Sequence, residues 1–103
     1  MNTPDLHDAS LLEVVLTWGK VAGVEVRFRD HGPRIVTLKS MNLALLSCPH
    51  ESPWGSSVSV NEVRGPEAVS KDRQRVEIEM QSGDIIVIEG RDFEWEVVGA
   101  TSR

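Results

Sequence analysis

The chain has 103 residues, 40% hydrophobic and 26% charged, with a net charge of −5; it is one domain long and apolar enough for a core, which argues against a disordered chain or two separate cores. Its one cysteine, Cys48, excludes an intrachain disulfide, and no apolar run approaches the roughly 20 residues that span a bilayer. The negative balance argues against nucleic acid or an anionic membrane as a direct partner, because phosphate binding needs a cationic footprint.

The opening MNTPDLHDAS has neither a basic n-region nor an apolar h-region and does not read as a signal peptide, so a reducing cytoplasm is the expected location. Residues 1–9 are expected to be flexible. From there the apolar period is two almost everywhere, the mark of strands. Leu12, Val14, Leu16 and Trp18 fall on one face of a first strand, and Trp18 is assigned to the core. Val24, Val26 and Phe28 share a face of a second strand, with Glu25, Arg27 and Arg29 opposite, and WGKVAG between them reads as a hairpin connection. DHGP ends the second strand, because Gly supplies unusual φ and Pro lacks the amide donor. A longer run from Arg34 to about Ser47 alternates at Val36 and Leu38 and continues through Leu43, Leu45 and Leu46, with a bulge expected at Asn42. Residues 48–57 are rich in Pro, Ser and Gly and read as loop. Val58, Val60 and Val63 belong to a short strand, and GPEAVSKDR then makes a polar connection with room for one helical turn.

The stretch RVEIEMQSGDIIVIEG, residues 75–90, can be registered from its turn. A three-residue loop of Gln81, Ser82 and Gly83 puts Gly83 at the left-handed position beside a G1 bulge. That register pairs Met80 with Asp84, Ile78 with Ile86 and Val76 with Ile88, and buries Val76, Ile78, Met80, Ile86 and Ile88 on one face. The other face sets Glu77 near Val87 and Glu79 near Ile85. A two-residue loop would instead turn Ile86 and Ile88 outward; the three-residue loop is preferred. In FEWEVV, Phe93, Trp95 and Val97 point inward and Glu94 and Glu96 outward. About seven strands result. The expected fold is mainly β: a single domain, residues 1–103, forming an antiparallel β-sandwich or partly closed barrel with at most one short helix and a flexible end at 99–103.

Few residues suggest chemistry. His7 and Asp8 could ligate a metal, but such sites need three or four converging ligands, and Asp8 or Ser10 fixing the start of the strand through side chain to backbone bonds is the simpler reading. Cys48 and His50 lie two apart, yet a thiol and imidazole pair needs a third group to orient the ring, and Glu51 is badly placed for it. Ser56, Ser57 and Ser59 follow PWG without the strained G-x-S-x-G elbow. Trp54 reads as a lid over the core end, and Trp18 and Trp95 as core rather than a sugar platform. No catalytic residue, metal or cofactor is expected. The acidic face is the remaining candidate: seven acids against three bases from Arg75 onward carry −4 of the total −5. Its ordinary reading is a solvated face that keeps the protein soluble. Its functional reading is a contact surface of Glu77, Glu79, Ile85, Val87, Glu94 and Glu96, in which carboxylates steer a basic partner and aliphatics supply buried area.

The L-H-D-A start, the WGSSVSVNEV stretch and the I-E-M-Q-S-G-D hairpin resemble a group of small, mostly uncharacterised bacterial β-rich proteins, and the resemblance covers most of the chain. Some similar proteins that open with H-D-A are counted among the immunity proteins of polymorphic toxin systems. The resemblance implies a small cytoplasmic, non-catalytic binding protein and brings no catalytic residues with it. A protein partner such as a cationic toxin domain is then expected, without nucleic acid or membrane, and the oligomeric state is left open. The alternatives are a small enzyme or metal-binding protein centred on Cys48, His50 and Trp54, or a structural subunit of a larger assembly.

Overall fold

The structure, a computed structural model, describes residues 5–30, 32, 34–49 and 59–98. Six strands, β1 (Ser10–Thr17), β2 (Gly23–Arg29), β3 (Ile35–Ser47), β4 (Val60–Ser70), β5 (Arg73–Met80) and β6 (Ile85–Val98), make one antiparallel sheet in the order β1-β2-β3-β6-β5-β4. The described residues contain no helix. The mainly β reading holds, but the ladder is a single sheet that does not close: β1 and β4 approach only through a bridge between Ser10 and Ser59. Two corrections follow. The expected helical turn in residues 65–73 is strand, because β4 runs on to Ser70 and the chain reverses at Lys71 and Asp72. The count falls from seven strands to six because the two expected segments at 85–88 and 93–98 are one continuous β6.

The length of β3 and β6 organises the sheet. Their pairing runs from Ile35↔Val98 to Ser40↔Phe93, breaks near Met41, and resumes from Leu45↔Glu89 to Ser47↔Val87. At the break, Asn42 (φ 56°) and Asp92 (φ 60°) both take left-handed backbone, and Asn42 Nδ2 donates to Asp92 Oδ2 at 2.9 Å. Asn and Asp tolerate this region better than other side chains. Gly90 lies in the same corner, where an added Cβ would meet the Asn42 carbonyl and Ser40 Oγ at 3.0 Å. The bulge expected at Asn42 is therefore present, and β6 carries its counterpart.

The one extra residue of β6 resets which of its side chains face inward, whereas β3, with two extra residues between Met41 and Leu45, keeps Val36, Leu38 and Leu46 on the core side. Before the corner β6 buries Ile86 and Ile88; beyond it Trp95 is buried and Phe93 packs against the core. On the β1 side the register aligns Val14, Val26, Leu38 and Trp95 in one inner row. On the β4 side it aligns Val63, Ile78 and Ile86. Both halves feed one hydrophobic cluster, joined by Leu6 and Ala9 from the segment ahead of β1. That segment is tied to β4: Asp8 N donates to Val60 O, and Val60 N to Ala9 O, both at 2.8 Å.

β1 departs from the sequence reading. A register shift between Leu11 and Glu13 turns Leu11 and Val14 toward the core and leaves Leu12 43% exposed. Trp18, assigned to the core, lies beyond the strand end at 78% exposure. Val97 occupies an inner row opposite Val36 but at its open end, and is exposed.

The β5–β6 hairpin has the three-residue loop. Ile78 pairs with Ile86 and Val76 with Ile88, and Gly83 has φ 100° while its amide donates to Met80 O. An added Cβ there meets no atom within 4 Å, so only backbone strain opposes a side chain. Gly83→Ala is expected to destabilise by about 1 kcal/mol, read as a lower urea midpoint with unchanged slope; an unchanged midpoint would mean that the turn relaxes.

Trp95 stacks obliquely near Phe28, ring centroids 6.3 Å apart, and its Nε1 is a buried donor without a partner. A buried unpaired donor costs about 1–3 kcal/mol, which offsets part of what the indole contributes by packing. Trp95→Phe should therefore change stability by less than about 1.5 kcal/mol, against about 3–5 kcal/mol for Trp95→Ala. Equal losses in urea melts would contradict this balance.

Candidate binding face

The outer face of β4, β5 and β6 brings four of the six sequence-derived contact residues together. Glu77 pairs with Val87 and Glu79 with Ile85, as the turn register requires. Glu94 and Glu96 are not part of this patch. β5 pairs with β6 only as far as Gly90, so beyond the corner the two glutamates lie against β3, with Lys39 opposite Glu94 and its Nζ 3.4 Å from Glu96.

Nor are the β5 carboxylates a bare acidic patch. The extension of β4 places Arg64 opposite Glu77, and its guanidinium reaches Glu77 at 3.2 Å, Glu79 at 2.9 Å and Glu62 at 3.6 Å. Asn61 Nδ2 donates to the other oxygen of Glu79 at 3.4 Å. The Arg64 pKa is held above its ordinary value, first by the hydrogen bond to Glu79. Sequence reasoning missed Arg64 because it read residues 65–73 as a connection and ended the strand too early. The alternation of Glu62 and Arg64 around Val63 was the available signal.

A second ion-paired group lies one row along. Glu89 is only 4% exposed although it faces outward. Arg75 Nε and Nη2 both reach its Oε2, at 2.8 and 2.5 Å, and Arg73 Nη1 reaches Oε1 at 3.1 Å. The Arg75 hydrogen bond is the leading cause that holds the Glu89 carboxyl below the usual range, and Arg73 adds to it.

The two groups are joined by Arg75 and Glu77 at 3.9 Å, and an aliphatic strip lies on their β3 side. Ile85 is 37% exposed, Val87 is half-buried, and Leu45 of β3, diagonal to Val87 through the Leu45↔Glu89 and Ser47↔Val87 pairs, is 44% exposed. The strip is thus bordered by ion pairs along β5 and at Glu89, and opens on its other side toward Ser47 and Leu45 of β3.

The other candidates are placed as follows. His7 Nδ1 donates to Asn61 O at 2.8 Å, while Asp8 Oδ1 accepts from Gln81 Nε2 at 2.5 Å. The pair fastens the N-terminal segment to β4 and the hairpin loop, though through His7 to backbone and Asp8 to Gln81 rather than the Asp8 or Ser10 backbone bonds expected. The His7 pKa is raised, first by the bond to the Asn61 carbonyl and then by Asp8. Among the described residues no group of three or more His, Cys, Asp or Glu is arranged to hold a metal. Cys48 is exposed at the end of β3, yet its neighbours desolvate the thiol enough to push its pKa up, the wrong direction for a thiolate nucleophile. His50, Glu51, Trp54, Ser56 and Ser57 lie outside the described residues. No described helix is long and apolar enough to cross a membrane.

Glu89 generates a pH prediction. A carboxylate whose pKa is depressed on folding contributes stability that is present above its ordinary value of 4.5 and lost as pH falls through the lowered one. The urea midpoint of the natural chain should fall more steeply as pH drops below about 5 than that of Glu89→Gln, which cannot ionise. Parallel curves would show that the Arg73 and Arg75 contacts are without effect in solution.

No family model matches the chain, and neither a curated protein nor a solved structure matches it.

Proposed function

We propose that the chain is a non-catalytic protein-binding module that acts in the cytoplasm and uses the outer face of β5 and β6 as its contact surface, as the resemblance to immunity proteins implies. The supporting observation is the strip of Leu45, Ile85 and Val87 bordered along β5 and at Glu89 by ion-paired side chains. Apolar surface beside a polar margin matches the core and rim of a protein interface. Glu77 and Glu79 contribute less to steering than their charge suggests, since Arg64 offsets them. Long-range attraction falls instead to Glu94 and Glu96, which are exposed and share one lysine. The fitting partner is a protein with a cationic surface, such as a nuclease toxin domain.

Glu77→Lys with Glu79→Lys is a poor probe, because it strands Arg64 among like charges. Two cleaner variants separate the contributions. Ile85→Arg puts a charge into the apolar centre and should raise the dissociation rate from the captured partner at least about tenfold. Glu94→Lys with Glu96→Lys should leave dissociation unchanged, slow association and flatten its salt dependence. Surface plasmon resonance at low and high salt, with circular dichroism as a fold control, reads both. Unaltered kinetics in both variants would remove the face from the interaction.

A further inference from the structure

The sheet has four stretches of open edge among the described residues, and they are unequally protected; one, the β2 side of β3 near Leu45 to Ser47, is short and lies past the end of β2. β4 carries Glu62, Arg64, Pro66 and Glu67 and has three register irregularities, all of which discourage strand addition. The free stretch of β6 beyond Gly90 carries Arg91, Asp92, Glu94 and Glu96. β1 has none of these devices past its bulge. From Glu13 to Thr17 it pairs regularly with β2, and its one charge, Glu13, is already bridged to Arg27. Leu12, Val15, Leu16 and the adjoining Trp18 are 43%, 40%, 38% and 78% exposed.

We infer that β1 is the contact between two copies of this chain, which pair antiparallel through it across a two-fold axis at Val15. The strand is complementary to itself in that register. Val15 meets Val15 of the second copy, Val14 meets Leu16, and Glu13 meets Thr17, so no like charges oppose each other. Trp18 is brought toward the second copy's Leu12. Charge at larger scale agrees with a copy of the same chain as occupant. The β1–β2 hairpin holds Glu13 and Glu25 against Lys20, Arg27 and Arg29, a net +1, while the molecule as a whole is −5. Two copies approaching through β1 therefore do not bring the molecule's excess of negative charge together. This surface lies on a different strand from the proposed partner-binding face, and either can fail without the other.

Sedimentation velocity from micromolar to millimolar protein should show the mass doubling for the natural chain. Val15→Lys, which sets two lysines against each other on the axis, should stay monomeric with an unchanged circular dichroism spectrum. In a Cys48→Ser background, Val15→Cys should cross-link to itself on mild oxidation, since directly opposed residues are about 4.5–5.5 Å apart at Cα. Thr17→Cys should cross-link far more slowly, because in this register its copies are separated by four residues along the strand, about 13 Å. A monomer at every concentration, a dimer that survives Val15→Lys, or equal cross-linking of the two cysteine variants overturns the inference. If Val15→Lys fails to fold, the cysteine pair decides alone.

Discussion

Two residues that face each other at the bend of β3 and β6, Asn42 and Asp92, support the rest of the structure. Each takes a left-handed backbone conformation; Asp92 marks the one extra residue that turns the inner set of β6 from one parity to the other, while Asn42 lies in a two-residue excess that leaves the parity of β3 unchanged. Without that change, the side of β6 that buries Ile86 and Ile88 could not also bury Trp95, and one half of the sheet would present its polar side to the core. The Asn42 to Asp92 hydrogen bond joins the two bulges, and Gly90 lets the β3 backbone approach where a methyl group would collide. Ser40, buried at the same place, donates its hydroxyl toward the Arg91 carbonyl, which pairs one of the backbone groups that the broken ladder leaves over. The hydrophobic cluster is continuous because this corner is polar and satisfied.

The outer face shows how a chain of net −5 handles its charge. The acids of β5 and β6 look unopposed along the sequence, yet the fold draws Arg64 and Arg73 from the other side of two turns and sets them beside Glu77, Glu79 and Glu89. The half-exposed pairs of Arg64 add little stability one at a time, whereas Glu89 is buried under its two arginines. Their joint effect here is on the field: the carboxylates of β5 and Glu89 are offset by arginines, and the surface beside them is left to aliphatic side chains. Binding through such a face depends on fit at the centre, and the remaining field comes from the far half of β6.

Much of this was legible in the chain. Strict alternation in Val24, Val26 and Phe28 and in Val76, Ile78 and Met80 gave the buried face of β2 and β5, and the glycine of Gln81, Ser82 and Gly83 was enough to register the hairpin residue by residue. The break at Asn42 was visible because the apolar period slipped there. What failed did so for two reasons. β4 passes through Gly65 and Pro66 with three register irregularities, so its alternation is hidden although its pairing continues to Ser70, and with it went the position of Arg64. In β1 a single shifted residue after Leu11 turned Leu12 out while Val14 and Leu16 kept the expected side, and Trp18 lay past the end of the ladder. Period alone cannot show a bulge in a strand whose residues are apolar on both sides. The contact face was half legible: pairing along β5 was readable, but the corner that separates Glu94 and Glu96 from it was not.

The strand order also constrains how the chain reaches this state. Hairpins β1–β2, β4–β5 and β5–β6 join neighbours in sequence and can form early, but the centre of the sheet is β3 against β6, which pairs Ile35 with Val98. Closing so long a loop before any reward for it makes this docking the slow step, as in other sheets dominated by distant pairings. During synthesis the first three strands therefore emerge with Val36, Leu38 and Phe28 uncovered, and they stay so until the last strand leaves the ribosome. The interval is one in which a chaperone, or a second nascent chain, meets the same apolar row that Trp95 and its neighbours later cover.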